Sequence, residues 1–304
     1  MVNSNSLRAP TMRDMAMMIV LGTIWGSSFF FIKIAVADIP PLTIATGRVG
    51  LGALLLYIYI RSRGYFLPCD MAVWRWLIPI GVLNSALPFF LIGLAEQTID
   101  SNLAALLMSA GPIWALILSH FLTSDDRFTV NKTMGIGIGF AGVVIILGPM
   151  ILAGASGTLF GAGALVTANI CYVLSGVLVR RVQGVRSDVF GASVSIAGFF
   201  VILPFSLIID QPWTLTPGAG PLASVFYLGF MATAFAAIIR FKLLMEVGAT
   251  FFSQIGYIIT ISGVLIGAVL LSEPITLNMI AGMILIFFGI YVSQRKLKTA
   301  LNKD

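Results

Sequence analysis

The chain contains ten apolar runs of about 20 residues, and no other feature constrains its fold as strongly. A bilayer core about 30 Å thick is crossed by roughly 20 residues of helix. The runs therefore predict an all-α polytopic membrane protein with ten transmembrane helices. Their predicted positions are 15–36, 41–60, 74–95, 100–121, 131–152, 157–179, 187–209, 222–245, 249–271 and 275–294.

The composition supports this prediction and excludes several classes of protein. Hydrophobic residues make up 59% of the chain and charged residues 10%, against about 45–50% and about 25% in soluble domains. Such a chain, with a mean hydropathy of +1.02, would expose apolar surface in water. This excludes a soluble enzyme, a nucleic-acid-binding protein and a disordered scaffold. The formal net charge of +6 is instead typical of membrane proteins, whose cytoplasmic loops are basic.

The basic residues predict the orientation of the helices. If the amino terminus is cytoplasmic, 16 of the 18 Lys and Arg residues fall in cytoplasmic segments, and only Lys33 and Arg48 fall towards the other side. This distribution obeys the positive-inside rule. It predicts that both termini are cytoplasmic. Residues 1–10 are polar, so we expect no cleavable signal peptide and insertion by the first helix.

The sequence repeats itself at a spacing of 147 residues. At this offset Trp25 aligns with Tyr172, and the polar run 126–135 aligns with the polar run 273–282. Each half holds five helices, an odd number, so the second half crosses the membrane in the opposite direction. Inverted repeats are typical of secondary transporters, whose substrates bind near the midplane between the halves. The predicted halves are 15–152 and 157–294; further aligned pairs are Ser28 with Ser175 and Lys33 with Arg180.

Short motifs in both halves resemble a known family. The run Trp25-Gly26-Ser27-Ser28-Phe29 resembles the W-G-x-x-F element of EamA-type transporters in the drug/metabolite transporter superfamily. The small-residue stretch 101–107 with Pro112, followed by Asp126-Arg127-Phe128-Thr129, is similar to that family's small-residue helix and acidic-x-x-Thr turn. The stretch 249–255 with Glu273-Pro274-Ile275-Thr276 resembles the second copy.

The resemblance spans 15–294 and departs from the family pattern at two positions. Asp126 replaces the usual Glu, and Ile259 stands where the second copy often has Pro. Within the family, the chain is most similar to bacterial amino-acid exporters of the aromatic type. The resemblance therefore implies a location in a bacterial inner (plasma) membrane and export of amino acids, neutral or aromatic, through a cavity between the two repeats.

Eight polar or aromatic residues are candidates for binding a substrate. Trp25 and Tyr172 occupy matching positions in the two halves, each with a serine one turn further along. Aromatic rings backed by hydroxyls suit a ligand with an apolar body and polar ends, although core packing produces the same pattern. The eight are Trp25, Ser28, Asn84, Ser109, Trp114, Tyr172, Ser175 and Tyr257.

Three further residues are candidates for pairing with a substrate's charged ends. Arg48 and Arg240 lie inside predicted spans, where charged residues are candidates for function, although snorkelling to the surface is an alternative for Arg240. His120 is at the inner end of the fourth helix, where a structural role competes with proton relay. No Asp or Glu lies deep within a predicted span, which favours a facilitator over a proton-coupled transporter.

Three classes of function stay open. The inverted repeat favours a secondary transporter of small metabolites, above all amino acids, that works by alternating access; a multidrug or other metabolite effluxer is the alternative within that class. A channel and an intramembrane enzyme are different classes, but one His without buried acids offers no catalytic constellation. We predict no catalytic residues, no metal and no cofactor. We expect a small-molecule substrate and the lipid bilayer as partners, no nucleic-acid partner, and a monomer.

Overall fold

The computed structural model describes residues 8–122 and 128–294, and this part of the chain contains helices and turns but no strand. Within these described residues, nine helices are long and apolar enough to cross a membrane, and a tenth apolar helix is shorter. The predicted all-α class with ten helices is confirmed. In chain order they are α1 (Met12–Ala35), α2 (Pro41–Ser62), α3 (Met71–Glu96), α4 (Ser101–Leu122), α5 (Val130–Leu152), α6 (Ser156–Val179), α7 (Ser187–Asp210), α8 (Ala219–Glu246), α9 (Ile255–Leu270) and α10 (Leu277–Gln294).

Equivalent threonines begin the last helix of each half. The hydroxyl of Thr129 accepts a hydrogen bond from the amide of Lys132 at 3.3 Å, and that of Thr276 accepts one from the amide of Met279 at 3.3 Å. Such caps satisfy a backbone donor that has no partner inside the helix. The Thr of each acidic-x-x-Thr turn is therefore a helix cap; Asp126 of the first turn lies outside the described residues.

A break divides α4 into two pieces. The α-helix runs Ser101–Met108 and resumes at Gly111. Pro112 explains the break, because proline has no N–H and its ring pushes against the preceding turn. The small-residue piece before the break is buried along its length, so α4 enters the molecule through a short, tightly packed segment.

The second half breaks at a different place and without a proline. The predicted continuous span 249–271 is instead a short helix, Ala249–Phe252, followed by α9 from Ile255. Between them the amides of Gln254 and Tyr257 bond to carbonyls three residues back, at 3.3 and 3.2 Å. These tight turns replace the α-helical ladder. The prediction of one unbroken span is wrong here, since apolar character alone does not reveal which backbone bonds form.

The last helices of the two halves, α5 and α10, pack on each other through glycines. A Cβ added to Gly142 would stand 2.7 Å from the carbonyl oxygen of Gly282, and one added to Gly289 would stand 2.7 Å from the amide nitrogen of Gly139. Real Cβ atoms essentially never come within 3.0 Å of such neighbours. The two backbones are thus in direct contact, as is typical of small-residue seams between membrane helices.

The other eight helices surround the centre of the molecule in pairs related by the repeat. Helix α1 packs along α9 and α8, its counterpart α6 packs along α4 and α3, and α2 packs on α7. At equivalent contacts in two related helix pairs, the small residue and the large residue lie on opposite helices. Gly22 of α1 packs against Ile258, whereas Asn169 of α6 packs against Gly111. The two halves therefore share a topology but not an identical packing.

Polar contacts tie the helices at both ends of the molecule. At the inner end, which the positive-inside rule assigns to the cytoplasm, Arg8 donates to Asp14 of α1 and to Glu246 of α8. The hydrogen bond to Asp14, and then that to Glu246, raises the pKa of Arg8 above its ordinary value. At the outer end Asp38 accepts a hydrogen bond from the amide of Gly218 at 3.0 Å. Both contacts therefore join an end of α1 to an end of α8.

Candidate functional site

Wide turns interrupt α3 and α8 at equivalent places. The π-helical segments are Val82–Ala86 in α3 and Phe230–Phe235 in α8. When the two halves are aligned at the 147-residue spacing, these segments nearly coincide. Such turns are frequent at functional sites because they disturb the regular backbone ladder. In α8 the carbonyl of Ala232, inside this segment, accepts a hydrogen bond from Nε1 of Trp25 at 3.0 Å. Trp25 of the first half is thereby fixed against the interruption in the second.

Arg48 of α2 is buried beside the same interruption. It is 5% exposed, its Nε donates to the hydroxyl of Thr233 at 3.2 Å, and its Cζ lies 3.7 Å from the centroid of the Phe89 ring. A hydroxyl and a ring face replace only part of the hydration that a guanidinium loses. Within the described residues no carboxylate forms an ion pair with Arg48. Its charge is therefore incompletely compensated.

Arg240 of α8 faces the interior of the molecule. Its Nε is buried and has no hydrogen-bond partner in the described part of the chain, and its Cζ lies 6.0 Å from the centroid of the Phe252 ring. That ring stands edge-on to Trp25, with centroids 6.2 Å apart. Glu246, the nearest acid along the helix, is engaged by Arg8. The buried Nε argues against the snorkelling alternative for Arg240.

Tyr172 of α6 completes this group. Its phenol is close enough to both Arg48 and Arg240 to interact electrostatically with them. Trp25, Tyr172 and Arg240 are each partly exposed although they lie inside their helices. We call this region the central chamber and define it by Trp25, Arg48, Phe89, Tyr172, Thr233, Arg240 and Phe252.

Two of the three predicted serines donate hydrogen bonds within their own helices. Ser28 donates to the carbonyl of Ile24 at 3.2 Å, and Ser109 donates to that of Leu106 at 2.6 Å. Ser175 is 1% exposed. A ligand role for these hydroxyls stays a prediction, because hydroxyls in helices commonly bond back to the preceding turn.

The other predicted residues are spread more widely. Tyr257 packs edge-on against a ring of α10, with centroids 4.8 Å apart, and Trp114 packs against the main core. His120 accepts a hydrogen bond from the amide of Phe128 at 3.1 Å and stacks on its ring at 3.9 Å, so it holds the segment before α5 at the inner end. Asn84 is half-buried in the interruption of α3, and its ligand role stays a prediction.

Sequence reasoning did not single out Phe89 and Phe252. The chain contains 22 phenylalanines, and nothing in their spacing marks these two. Their position beside the arginines depends on how α3 and the short helix before α9 pack. A search for aromatic residues near the breaks of the helices would have included Phe252.

The outer half of α1 forms a closed seam with α9. A Cβ added to Gly26 would stand 2.7 Å from the carbonyl oxygen of Ile259 and 2.7 Å from Cβ of Ser262. No side chain larger than hydrogen fits between these backbones. The glycine of the W-G-x-x-F motif is therefore what allows the seam to close.

The related seam between α4 and α6 is open. A cleft of about 470 Å³ lies there, bordered also by α10. Val173, Pro112 and Ala115 are the repeat counterparts of the three residues in the closed seam, and all three line the cleft. Arg180, also in its lining, is exposed and marks the inner end. The residues related by the repeat are therefore in contact across the α1–α9 seam and line a cleft in the α4–α6 seam.

Polar contacts hold the outer end closed. Lys33 donates through Nζ to the carbonyls of Glu96 and Ile99, at 2.9 and 2.7 Å. The carboxylate of Glu273 accepts from the amides of Ser101 and Asn102, each at 2.8 Å, and so caps the start of α4. These contacts join α1, α3, α4 and the segment before α10.

The carboxyl group of Glu96 is wholly buried. The residue ends α3, as predicted, yet its side chain is 0% exposed, and neither carboxyl oxygen has a hydrogen-bond partner in the part of the chain described. Lys33 bonds to the backbone of this residue and not to its carboxyl. Proximity to a helix end therefore did not mean access to water. The predicted facilitator mechanism loses the support that it drew from the absence of buried acids.

The side chains of the chamber are cationic, hydroxylic or aromatic. Among the described residues no group of three or more His, Cys, Asp or Glu could hold a metal ion. Its side chains are two guanidiniums, hydroxyls, an indole and apolar rings. This set can hold an anionic group next to an apolar body.

A family model matches the chain twice, at residues 13–148 and 159–294. The chain belongs to the EamA-like transporter family. Each match follows one five-helix half, so the duplication visible at the 147-residue spacing is a duplication of the family unit. The transporter is therefore a membrane protein with a small-molecule substrate and not an enzyme.

Curated relatives cover nearly the whole chain. An uncharacterized transporter, YoaV of Bacillus subtilis (strain 168), is 25% identical over 89% of this chain and 92% of its own. The uncharacterized inner membrane transporter YedA of Escherichia coli (strain K12) is 26% identical over 83% of this chain and 81% of its own. A probable amino-acid metabolite efflux pump of Escherichia coli (strain K12) is 23% identical over 92% and 94%.

A solved crystal structure has the same fold. It superposes with a TM-score of 0.65 over 93% of this chain and 97% of its own, at 18% identity. At that identity the likeness concerns the path of the backbone alone.

Proposed function

We propose that the transporter exports amino acids or related small metabolites by alternating access, with the substrate bound in the central chamber between the repeats. The observation that carries this proposal is the inequality of the two seams. The α1–α9 seam is closed around Gly26, and the equivalent α4–α6 seam holds a cleft of about 470 Å³. Exchanging the two seam geometries between the halves generates the opposite opening.

The direction of opening follows from the basic residues. The cleft lies at the end that carries Arg180, and the positive-inside rule assigns this end to the cytoplasm. The conformation is then inward-open, the state in which an exporter loads its substrate. The inner-membrane assignment of the relative YedA supports a bacterial inner membrane as the location.

The chemistry of the chamber supports amino acids as the substrate class. Trp25, Tyr172 and Phe252 offer apolar surface to a side chain, and Arg48 and Arg240 offer positive charge to a carboxylate. One relative is named a probable amino-acid metabolite efflux pump. A cationic drug would instead meet two like charges in the chamber, so a multidrug effluxer fits these residues less well.

Counterflow in proteoliposomes tests the proposal. Vesicles loaded with unlabelled phenylalanine should accumulate labelled phenylalanine transiently and with saturation, because a carrier exchanges one substrate for another. A channel would equilibrate the label without transient accumulation. Failure of every apolar amino acid to drive counterflow would remove this substrate class.

Replacing the chamber aromatics should lower transport without unfolding the protein. Trp25→Ala and Tyr172→Ala each remove apolar contact that contributes about 1.5–3 kcal/mol to binding when buried, which corresponds to a roughly 10- to 150-fold loss of apparent affinity. Counterflow at low substrate concentration measures this. Trp213→Ala is the matched control, because Trp213 is 67% exposed at the outer end. Normal transport by both chamber variants would assign these rings to core packing.

The orientation has its own test. A reporter fused after Asp304 should behave as cytoplasmic, and one inserted near Gly218 should behave as external, because the positive-inside rule places the two on opposite sides. Enzymatic reporters that are active on one side only provide the measurement. The opposite result at either position contradicts the proposed orientation.

A further inference from the structure

We propose that the central chamber recognises the carboxylate of its substrate and has no site for the amino group. A deaminated analogue with the same apolar body should then be carried as well as the amino acid itself. This inference rests on the proposed transport function and names the one group that the site requires.

The positive charges of the chamber come from both halves of the molecule. Arg48 belongs to α2 and Arg240 to α8, and a guanidinium stays protonated in proteins. The groups that contact them are neutral: the hydroxyl of Thr233 and the rings of Phe89 and Phe252. Neither guanidinium has a carboxylate within ion-pair distance in the described residues. A carboxylate bound at either guanidinium would supply a counter-charge through charge-assisted hydrogen bonds.

The unpartnered nitrogen of Arg240 points to the same ligand. Its Nε is buried from solvent, and no acceptor lies within hydrogen-bond distance in the described residues. A buried donor on a charged group costs free energy until an acceptor reaches it. Arg48 donates its Nε–H to Thr233 and has no carboxylate partner among the described residues. Both guanidiniums can therefore donate hydrogen bonds to an acceptor that the described residues do not provide.

No group in the chamber can balance a substrate ammonium. Glu96 is the acid that acts electrostatically on Arg48, but it is buried at the end of α3 and is not one of the chamber residues. Glu246 is held at the inner end by Arg8 and Lys242. An ammonium group would meet two like charges and would have to keep its water. The amino group of a substrate therefore contributes nothing to recognition.

The apolar part of the chamber is suited to an aromatic or branched body. The rings of Trp25 and Phe252 meet edge to face, with centroids 6.2 Å apart, and a third ring in this arrangement adds favourable contact. Tyr172, within electrostatic reach of both guanidiniums, offers a hydroxyl that can donate to the carboxylate. The favoured ligand is thus an apolar monocarboxylate, with or without an α-amino group.

Three labelled compounds with one benzene ring test this inference on the wild-type protein in proteoliposomes. Phenylalanine carries both charged groups, 3-phenylpropanoate lacks the amine, and 2-phenylethylamine lacks the carboxylate. We expect the two carboxylates to show counterflow within about threefold of each other, and the amine to show less than about one tenth of it. Carriage of the amine at the rate of the acids would overturn the inference and leave the transport function standing. Absence of counterflow with all three compounds would defeat the proposed function and this inference together.

Variants of Arg240 provide a second readout. Arg240→Gln should lower counterflow of both carboxylates by about tenfold or more, and Arg240→Lys should recover part of the loss because it keeps the charge. Arg181→Gln is the matched control, since Arg181 is an exposed arginine beside Trp76 at the inner end. If Arg240→Gln folds and carries 3-phenylpropanoate like the wild type, the carboxylate is not read by Arg240 and the inference is wrong.

Discussion

Replacing Gly26 by Val is expected to hold the transporter outward-open and to abolish most of its counterflow. A Cβ at this position would stand 2.7 Å from the carbonyl oxygen of Ile259, so the closed outer seam cannot form without displacing backbone. Overpacking of this kind costs about 1–3 kcal/mol. Since the clash exists only when the seam is closed, the inward-open population should fall by about 5- to 150-fold relative to the outward-open one.

Two measurements check this result. Counterflow reports turnover, and labelling of a cysteine at Ala105, which is 1% exposed beside the seam, reports its opening to an impermeant thiol reagent added outside the cell. The native Cys69 and Cys171 are replaced by Ser for this experiment. Gly163→Val is the control, because a Cβ on Gly163 of α6 has no neighbour within 4 Å. Unchanged labelling together with normal counterflow in Gly26→Val would show that the seam does not need to close tightly.

Replacing Gly142 by Val is expected to destabilise the fold itself. A Cβ there would stand 2.7 Å from the carbonyl oxygen of Gly282 in α10, and neither backbone can move aside as a flexible side chain could. The α5–α10 contact is symmetric within the repeat, so it does not relax in the opposite conformation. We expect a loss of about 3 kcal/mol of unfolding free energy, seen as a thermal midpoint lower by roughly 6–12 °C.

Gly148→Val in the same helix is the matched control. A Cβ on Gly148 has no neighbour within 4 Å, so the substitution carries the same change in helix propensity without the clash. Its unfolding free energy should change by less than about 0.5 kcal/mol. Thermal unfolding of both purified variants in one detergent provides the comparison. Equal midpoints would contradict a backbone-to-backbone seam between α5 and α10.

The candidate site was only partly predictable from the sequence. The 147-residue spacing pointed to Trp25 and Tyr172, and the rarity of charge inside membrane helices pointed to Arg48 and Arg240. The contact of Trp25 with the carbonyl of Ala232 could not be foreseen, because it depends on a π turn in a different half. The position of Phe252 near Arg240 could not be foreseen either, because it depends on the break before α9.

Burial was the least predictable property. Glu96 ends its helix, where a carboxylate usually meets water, yet its side chain is 0% exposed. His120 lies at the end of α4 where the sequence placed it, but its packing on Phe128 was not foreseen. In both cases the neighbours come from segments that are distant in the chain or from a local loop. The sequence around the residue does not specify either.

The sequence by itself determined the number of crossings, the pattern of basic residues at their ends and the inverted duplication. These properties depend on the transfer free energy of each segment into lipid, which is a sum over neighbouring residues. The tertiary structure decided which of two equivalent seams is closed, and which side chains meet in the chamber. In the alternating access that we propose, the halves share one fold, so two packings of the helices are nearly equal in free energy. Only contacts between distant residues, such as Gly26 against Ile259, decide between them.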